Sequence, residues 1–165
     1  MEPIRKRDAT LFRAYLEENL AEVYLEGYEA ELIRTVVILP QTEDLLRILI
    51  EKGWDVNMRL GPGEESMDNG WTGDDATPLF HAAQQGYCEK ITILIQAGAE
   101  VNARDSAGNT PLMTTHEFGN AEAVRILCET GADIQAHNHR GETAQSLWES
   151  EGRFAEVRHL LSFES

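Results

Sequence analysis

Five histidines are the residues whose chemistry first suggests a metal or a catalytic site in this chain. His137 and His139 flank a single residue in a stretch rich in turn formers, and His116 precedes them. Zinc usually needs three or four ligands, with cysteine or carboxylate partners at defined spacing. Neither Cys88 nor Cys128 stands at such a spacing, and no His-Glu-x-x-His motif occurs. We therefore expect no metal site, and metal binding at His137 and His139 stays an alternative hypothesis.

An acidic stretch over residues 59–76 suggests calcium instead. Its acidic side chains are those of Glu64, Glu65, Asp68, Asp74 and Asp75. An EF-hand loop with its invariant glycine at Gly70 would place Met67 and Ala76 where side-chain oxygens are needed, so the match fails. The sequence also holds no Gly-rich phosphate loop, nucleophile elbow or Cys/His dyad. We expect a solvated acidic loop in a protein that is not an enzyme and needs no cofactor.

The charge of the chain bears on its partners. The 165 residues carry a net charge of −15, and the excess is not a tail, because residues 1–76 hold 8 basic and 17 acidic side chains. Such a surface repels nucleic acid and anionic membranes and attracts basic proteins, although solubility alone also explains it. With two cysteines, no secretory signal and no long apolar run, a complete small cytoplasmic protein is expected.

A regular period organises the elements that would position any such site. Thr77, Thr110 and Thr143 are spaced by 33 residues, and glycines follow with the same period. These glycines are Gly86, Gly119 and Gly152, then Gly98 and Gly131. Each Thr can cap a short helix that the first glycine ends, and a second helix runs to the next glycine. A fixed period of this size indicates stacked helix–turn–helix units rather than one globular core.

The units resemble the ankyrin repeat, through Thr77-Pro78-Leu79, the Ala82-Ala83 pair, the closing glycines and the turns before each Thr. The resemblance implies an all-α repeat solenoid of helix–turn–helix units with β-turn fingers, about four units including degenerate caps. The expected divisions are a capping helix region at 1–31, a degenerate repeat at 32–76, repeats at 77–109 and 110–142, and a truncated capping repeat at 143–165.

The degenerate repeat carries an insertion. Its helices are expected near Leu32–Leu39 and Leu45–Ile50, and Gly53 stands 45 residues before Gly98, which leaves 12 extra residues. Counting from Asn57 to Thr77 places the excess in the finger, at about Arg59–Ala76. This finger holds the acidic residues named above together with Trp71.

Departures from the family pattern lower the expected stability. The histidine of the family's Thr-Pro-Leu-His signature is replaced by Phe80, Met113 and Ser146, so its usual polar link between units is missing. Thr115 and His116 replace a small alanine pair. We expect a melting point below the hyperstable range, which begins at about 90 °C.

The resemblance also implies where a protein partner binds. In such stacks partners meet a concave face made of the finger tips and the exposed side of each first helix. The matching positions, with the acidic finger, form the predicted site: Glu64, Glu65, Asp68, Trp71, Asp74, Asp75, Gln84, Gln85, Ser106, Asn109, Glu117, Phe118, His139, Arg140, Glu142, Ser150 and Glu151.

Two classes of function remain open. The favoured one is a non-enzymatic protein-interaction module, with a sharper alternative in which the chain is an inhibitor or immunity protein for a basic toxin or nuclease. The other class is an enzyme or metal protein built on the repeat scaffold. We expect a monomer, although the apolar residues Phe154, Leu160, Leu161 and Phe163 leave oligomerisation open.

Overall fold

The computed structural model of the protein describes residues 29–60 and 75–161. This part forms eight helices in four consecutive pairs. They are α1 (Glu29–Ile38), α2 (Glu43–Glu51), α3 (Pro78–Gln85), α4 (Cys88–Gln96), α5 (Pro111–Thr114), α6 (Ala121–Glu129), α7 (Ala144–Ser150) and α8 (Phe154–Leu161). The predicted capping helix at 8–31 lies outside the described residues except where α1 begins.

The helices stack in two rows. The first helices pack in the order α1, α3, α5, α7, and the second helices pack in the order α2, α4, α6, α8. Leucines and small residues fill the space between the rows, with Leu46, Leu79, Leu112 and Leu127 all buried. The all-α repeat fold predicted from the 33-residue period is therefore confirmed.

The predicted punctuation produces the predicted helix ends. Thr77 accepts a hydrogen bond from the backbone N–H of Phe80 at 3.4 Å, and α3 ends at Gly86 with a φ of 70°. A Cβ at Gly86 would also lie 2.6 Å from Asn120 Nδ2. Asn120 donates from that atom to the Gly86 carbonyl at 2.9 Å and accepts from the N–H of Ala123 at the start of α6. Glycine is thus required both for backbone conformation and for close approach.

Helix α5 is shorter than the glycine pattern predicts. It covers only Pro111–Thr114, and a turn continues to Gly119. The side chains of Thr114 and Thr115 donate to the carbonyls of Pro111 and Leu112, three residues earlier, at 2.9 and 2.8 Å. Side-chain bonds of this kind compete with the helical ladder. Replacement of the alanine pair therefore changes the local backbone as well as the packing.

A ladder of asparagine side chains joins the loops of successive units. Asn57 donates to the Gly98 carbonyl at 3.1 Å and accepts from the N–H of Glu100 at 2.8 Å. Asn102 repeats this arrangement with the Gly131 carbonyl and the N–H of Asp133, at 3.0 and 2.8 Å. Each asparagine satisfies backbone groups of the following unit and so fixes the spacing between units.

The finger of the first described unit opens at the same place as the regular fingers. The N–H of Leu60 donates to the Ala76 carbonyl at 2.8 Å, just as Asp105 does to Asn109 at 3.0 Å. Arg59 contacts the Asp75 carbonyl across 16 positions, while Arg104 contacts the Gly108 carbonyl across 4. The 12-residue excess therefore lies between residues 60 and 75, within the expected stretch, and its two ends are held together.

Two tryptophans of the described residues are buried. Trp148 has no exposed surface, and its indole N–H donates to the Thr115 hydroxyl at 3.1 Å. Trp54 is also buried. The Trp148–Thr115 bond links corresponding positions of neighbouring units, so two departures from the family's alanine positions complement each other. Loss of the signature histidines was expected to leave the units without a polar link, and the Trp148–Thr115 bond supplies one.

Candidate functional site

Two successive fingers present side chains beside the first helices. The Asp105 carboxylate accepts from the backbone N–H groups of Ala107 and Asn109, at 3.0 and 2.7 Å. Asn138 plays the same part in the next finger, where its side-chain oxygen accepts from the N–H groups of Arg140 and Glu142. Asp105 and Asn138 are buried at the start of each finger. Their hydrogen bonds fix the backbone of the finger and thereby position the residues that follow them in the chain.

A cavity of about 270 Å³ lies between these fingers and the first helices. Its lining residues are Asn109, Met113, His116, Glu117, Arg140, Glu142 and Leu147. Four of them, namely Asn109, Glu117, Arg140 and Glu142, belong to the site predicted from the sequence. The structure brings these four together although they come from two units and are as far as 33 positions apart.

The carboxylates of the cavity are held from neighbouring positions. Glu117 accepts from Gln84 Nε2 through its Oε2 atom at 2.7 Å, and Glu142 accepts from Asn138 Nδ2 through its Oε2 atom at 2.8 Å. Asn138 Nδ2 also donates to Asn109 Oδ1 at 2.8 Å. These bonds fix the orientation of both carboxylates and leave one oxygen of each, Oε1, with further acceptor capacity.

His116 adds a third acceptor to the lining. Its Nδ1 atom lies 2.6 Å from the carbonyl oxygen of Met113, which can only accept, so Nδ1 carries the proton. In the neutral ring Nε2 is then an acceptor. Arg140, which is exposed, is the cationic member of the lining. The cavity therefore combines two carboxylates, an imidazole acceptor, one guanidinium and the apolar surface of Met113 and Leu147.

Phe118 lies next to Glu117 in the chain and is 60% exposed. Among residues 29–60 and 75–161 no other large hydrophobic side chain is exposed to this degree. The sequence left open whether its ring packs on a neighbouring finger or faces solvent, and it is the exposed position that the structure shows. Aromatic side chains of this kind are frequent anchors of protein interfaces.

The other predicted residues differ in exposure or fall outside the described residues. Ser106, His139, Ser150 and Glu151 are exposed, Gln85 is half-buried, and Asp75 is exposed at the base of its finger. Glu64, Glu65, Asp68, Trp71 and Asp74 lie outside the described residues. Gln84 differs from expectation, because it is 4% exposed and its amide is engaged with Glu117.

The apolar residues of the last unit, which left oligomerisation open, are partly accounted for. Leu161 is buried, and Phe154 and Leu160 are half-buried against the core. Phe163 lies outside the described residues.

Titratable groups away from the cavity are perturbed by burial. Burial, with the charge of Arg34 acting in the same direction, lowers the pKa of His81 to about 4, and a hydrogen bond with Gln84 opposes the shift. Burial also raises the pKa of both thiols, Cys88 and Cys128, which keeps them protonated and weak as nucleophiles.

The described residues also bear on metal binding and on membrane insertion. Within 29–60 and 75–161, no three His, Cys, Asp or Glu side chains come together in an arrangement that could hold a metal ion. Over the same part of the chain no helix has the length and apolarity needed to cross a bilayer.

Sequence reasoning missed two parts of the cavity. Met113 occupies the signature-histidine position, and that position in the repeat was the signal that could have placed Met113 in the cavity lining. Leu147 follows Ser146 in the last unit and lines the cavity from α7. His116 was considered as a metal ligand and as a departure from the alanine pair, whereas the structure shows it beside a carbonyl oxygen in the wall of a polar cavity.

Comparison with known proteins gives the same architecture. The sequence profile described as ankyrin repeats (3 copies) matches residues 41–138 and 79–162. The proteins named Rabankyrin-5 of Mus musculus and of Homo sapiens are each 41% identical to the chain over 62 residues. That alignment covers 38% of this chain and only 5% of either relative.

Proposed function

The chain belongs to the ankyrin-repeat family, whose members are generally protein-interaction modules without enzymatic activity, and on that premise we propose that it binds a protein partner through its concave face. The proposed contact surface consists of the fingers and first-helix ends around the cavity, extended by the acidic finger insertion. In this proposal it includes Phe118 as an apolar anchor and excludes Gln84, whose side chain is buried.

One observation carries the proposal. Residues selected from two successive units line a single cavity, and an exposed phenylalanine follows one of them directly in the chain. A buried patch core with an aromatic anchor and a polar rim is the usual composition of a protein interface. The cavity is smaller than typical pockets for small molecules, which begin at about 300 Å³, so a protein surface suits it better than a cofactor.

The test is an affinity purification from the cells that make the protein, with mass spectrometry of what is retained. The bait is compared with a concave variant, Phe118→Ser with His139→Ala, and with a variant on second-helix and loop positions, Glu51→Gln with Glu100→Gln. We expect a protein that the wild type and the second variant retain and that the concave variant releases. Equal retention by all three would contradict the proposal.

A second candidate is an inhibitor or immunity protein that neutralises a basic toxin or nuclease. The observation that favours it is the charge of −15 together with the five acidic residues in the sequence of the finger insertion. Complementary charge speeds association and makes it sensitive to salt. For this candidate we expect a basic captured partner whose association slows as salt is raised. A neutral or acidic partner whose association rate ignores salt would contradict this candidate.

The remaining alternative, a metal protein on the repeat scaffold, is tested by metal analysis of the purified chain. Stoichiometric zinc that disappears on substitution of His137 and His139 would support it. A cytoplasmic location and a monomeric state are part of the favoured proposal and are checked by fractionation and by light scattering.

A further inference from the structure

We propose that the cavity between α5, α7 and the last two fingers receives one basic side chain, a lysine or an arginine, from the partner polypeptide. This inference rests on the proposed protein-binding function and names the chemistry that the partner must present. It is built on the shape and the lining of the cavity, on the hydrogen bonds that orient its acceptors and on the balance of charge around it.

The size of the cavity fits a side chain. Its volume of about 270 Å³ is below the range that encloses a whole small-molecule ligand, which begins at about 300 Å³. Met113 and Leu147 both belong to the lining, and Leu147, which is half-buried, offers most of the apolar surface because Met113 is almost fully buried. Lysine and arginine carry an aliphatic stem that packs on apolar surface while the charged head reaches polar groups.

The polar lining favours a donor over an acceptor. Glu117 and Glu142 each retain an oxygen that can accept, and His116, whose Nδ1 faces the Met113 carbonyl, can accept through Nε2 when its ring carries one proton. Both carboxylates are already oriented by bonds from Gln84 and Asn138, so little side-chain entropy is lost when they bind a cation. Ammonium and guanidinium groups are the side chains that only donate, and their bonds to carboxylates are the strong ones.

Arg140 is the group that opposes this assignment. It stands in the same lining and leaves the cavity with two carboxylates against one guanidinium. The balance is still negative, and the surrounding protein with its charge of −15 adds to the attraction for a cation. A carboxylate ligand for Arg140 would meet the repulsion of both glutamates. Because Arg140 opposes a cation, its removal should raise the affinity of the cavity for a basic side chain, and this direction can be tested.

The experiment uses the full chain and two capped peptides that differ at one atom group. The probes are acetyl-Gly-Ser-Gly-Arg-Gly-Ser-Gly-amide and the same peptide with citrulline, the neutral isostere of arginine. Binding is followed by nitrogen–proton correlation spectra. We expect the arginine peptide to shift the amide resonances of Met113, His116, Glu117 and Glu142 in a saturable way. The citrulline peptide should bind with an affinity at least about tenfold lower, because it lacks the charge.

Three variants decide whether the cavity is responsible. Glu117→Gln with Glu142→Gln, which keeps the shape but removes both charges and leaves one acceptor oxygen on each side chain, should weaken binding of the arginine peptide about tenfold. The matched variant Glu51→Gln with Glu100→Gln makes the same change of net charge away from the cavity and should leave binding within about twofold. Arg140→Gln should tighten binding, a result that loss of folding cannot produce.

The outcomes separate this inference from the proposed function. Equal shifts by both peptides, or equal weakening in both paired glutamine variants, overturns the basic side chain as occupant. Shifts by an acidic peptide that Arg140→Gln abolishes would overturn it in favour of a carboxylate. If the partner captured by the wild type is released by Phe118→Ser with His139→Ala while the arginine peptide fails to bind, only the inference is lost. If no concave-dependent partner is captured and the peptide also fails, both are lost.

Discussion

At the scale of single residues, the most demanding feature is a lysine with no exposed surface. The Lys90 ammonium donates to the carbonyls of Val36 and Val37 at 2.8 and 3.2 Å, to the carbonyl of Leu39, and to the Thr42 hydroxyl at 2.8 Å. Those carbonyls belong to the C-terminal end of α1, which lacks intrahelical partners and attracts positive charge. Burial lowers the pKa of Lys90 to about 8, with Glu43 opposing the shift, so the ammonium remains charged at neutral pH.

Substitution of this lysine should therefore cost more than the loss of one surface charge. Lys90→Met keeps the stem but removes the charged donor from these carbonyls, which then have only the Thr42 hydroxyl nearby to donate to Val36 and Leu39. We expect the free energy of unfolding to fall by about 3 kcal/mol. Urea titration followed by circular dichroism measures it. The exposed Lys52→Met is the control and should change stability by less than about 0.5 kcal/mol. Similar small losses in both variants would show that the Lys90 contacts contribute little.

His81 gives a pH dependence of known sign. The folded-state pKa of His81 is about 4, below the ordinary histidine value of 6.5, so above pH 6.5 the ring is neutral in both states and its contribution to stability is fully present. As the pH falls from 6.5 towards 4 the unfolded chain binds the proton first, and stability falls by up to about 3 kcal/mol.

Urea titrations between pH 7 and pH 4 test this slope. His81→Gln should flatten the fall relative to the wild type, whereas the exposed His159→Gln should keep the wild-type curve. If His81→Gln and the wild type lose stability in parallel, the buried ring does not titrate as stated.

Residue identity alone did not reveal which polar side chains are buried. Gln84 stands at a position expected to face a partner, yet it is enclosed and bonded to Glu117 of the next unit. Lys90 and His81 are buried among groups that come from α1 and from neighbouring positions. The sequence of one unit cannot show these contacts, because they depend on the side chains of the unit stacked against it.

At the scale of elements, the sequence predicted where each helix begins and ends wherever Thr, Pro and Gly stand at the family positions. It failed at α5, where the helix stops after one turn. The reason lies in Thr114 and Thr115, whose hydroxyl groups bond to carbonyls three residues earlier. A helix-ending glycine predicts where a segment must finish, but not how much of that segment remains helical.

The finger insertion is an element whose position the period predicted and whose base the structure shows. Leu60 and Ala76 correspond to Asp105 and Asn109, so residues 61–74 occupy the place of Ser106 and Ala107. Replacement of 61–74 by Ser-Ala should preserve the fold, because the closing backbone bond is already formed. A shorter loop also costs less entropy to close, and we expect the free energy of unfolding to rise by about 1 kcal/mol.

Chemical denaturation checks this expectation, and a variant with 61–74 replaced by Gly-Ser residues of equal number is the matched control. The control keeps the loop length and should unfold like the wild type. A marked loss of stability in both variants would mean that the insertion packs on the stack. Loss of the captured partner in both, with stability intact, would assign the insertion to recognition, as proposed.

At the scale of the whole molecule, the period and the composition determine different properties. The 33-residue period predicted a stack whose units bury their hydrophobic faces against each other, and that is the observed packing. The charge of −15 has no comparable effect on the fold, yet it acts on the stability of the compact state through self-repulsion. The cavity depends on both properties, because its lining requires the stacking of the units and particular side chains at seven positions.

Self-repulsion gives a prediction that needs no partner. Raising sodium chloride from about 10 mM to about 150 mM shortens the screening length from about 30 Å to about 8 Å, so the melting temperature should rise. We expect a single transition at both concentrations, because the units share continuous interfaces, and a midpoint below about 90 °C. Differential scanning calorimetry measures both quantities.

The variant Glu51→Gln with Glu100→Gln reduces the net charge by two without touching the cavity, and it supplies the comparison. Because it starts from weaker repulsion, its melting temperature should be higher at low salt and should rise less on addition of salt than that of the wild type. A salt response of equal size in both proteins, or a fall in the melting temperature, would show that attractive pairs such as Arg125 with Glu122 and Glu129 outweigh the net repulsion. In that case the acidic surface would be balanced locally, and its excess charge would act on partners rather than on the stack itself.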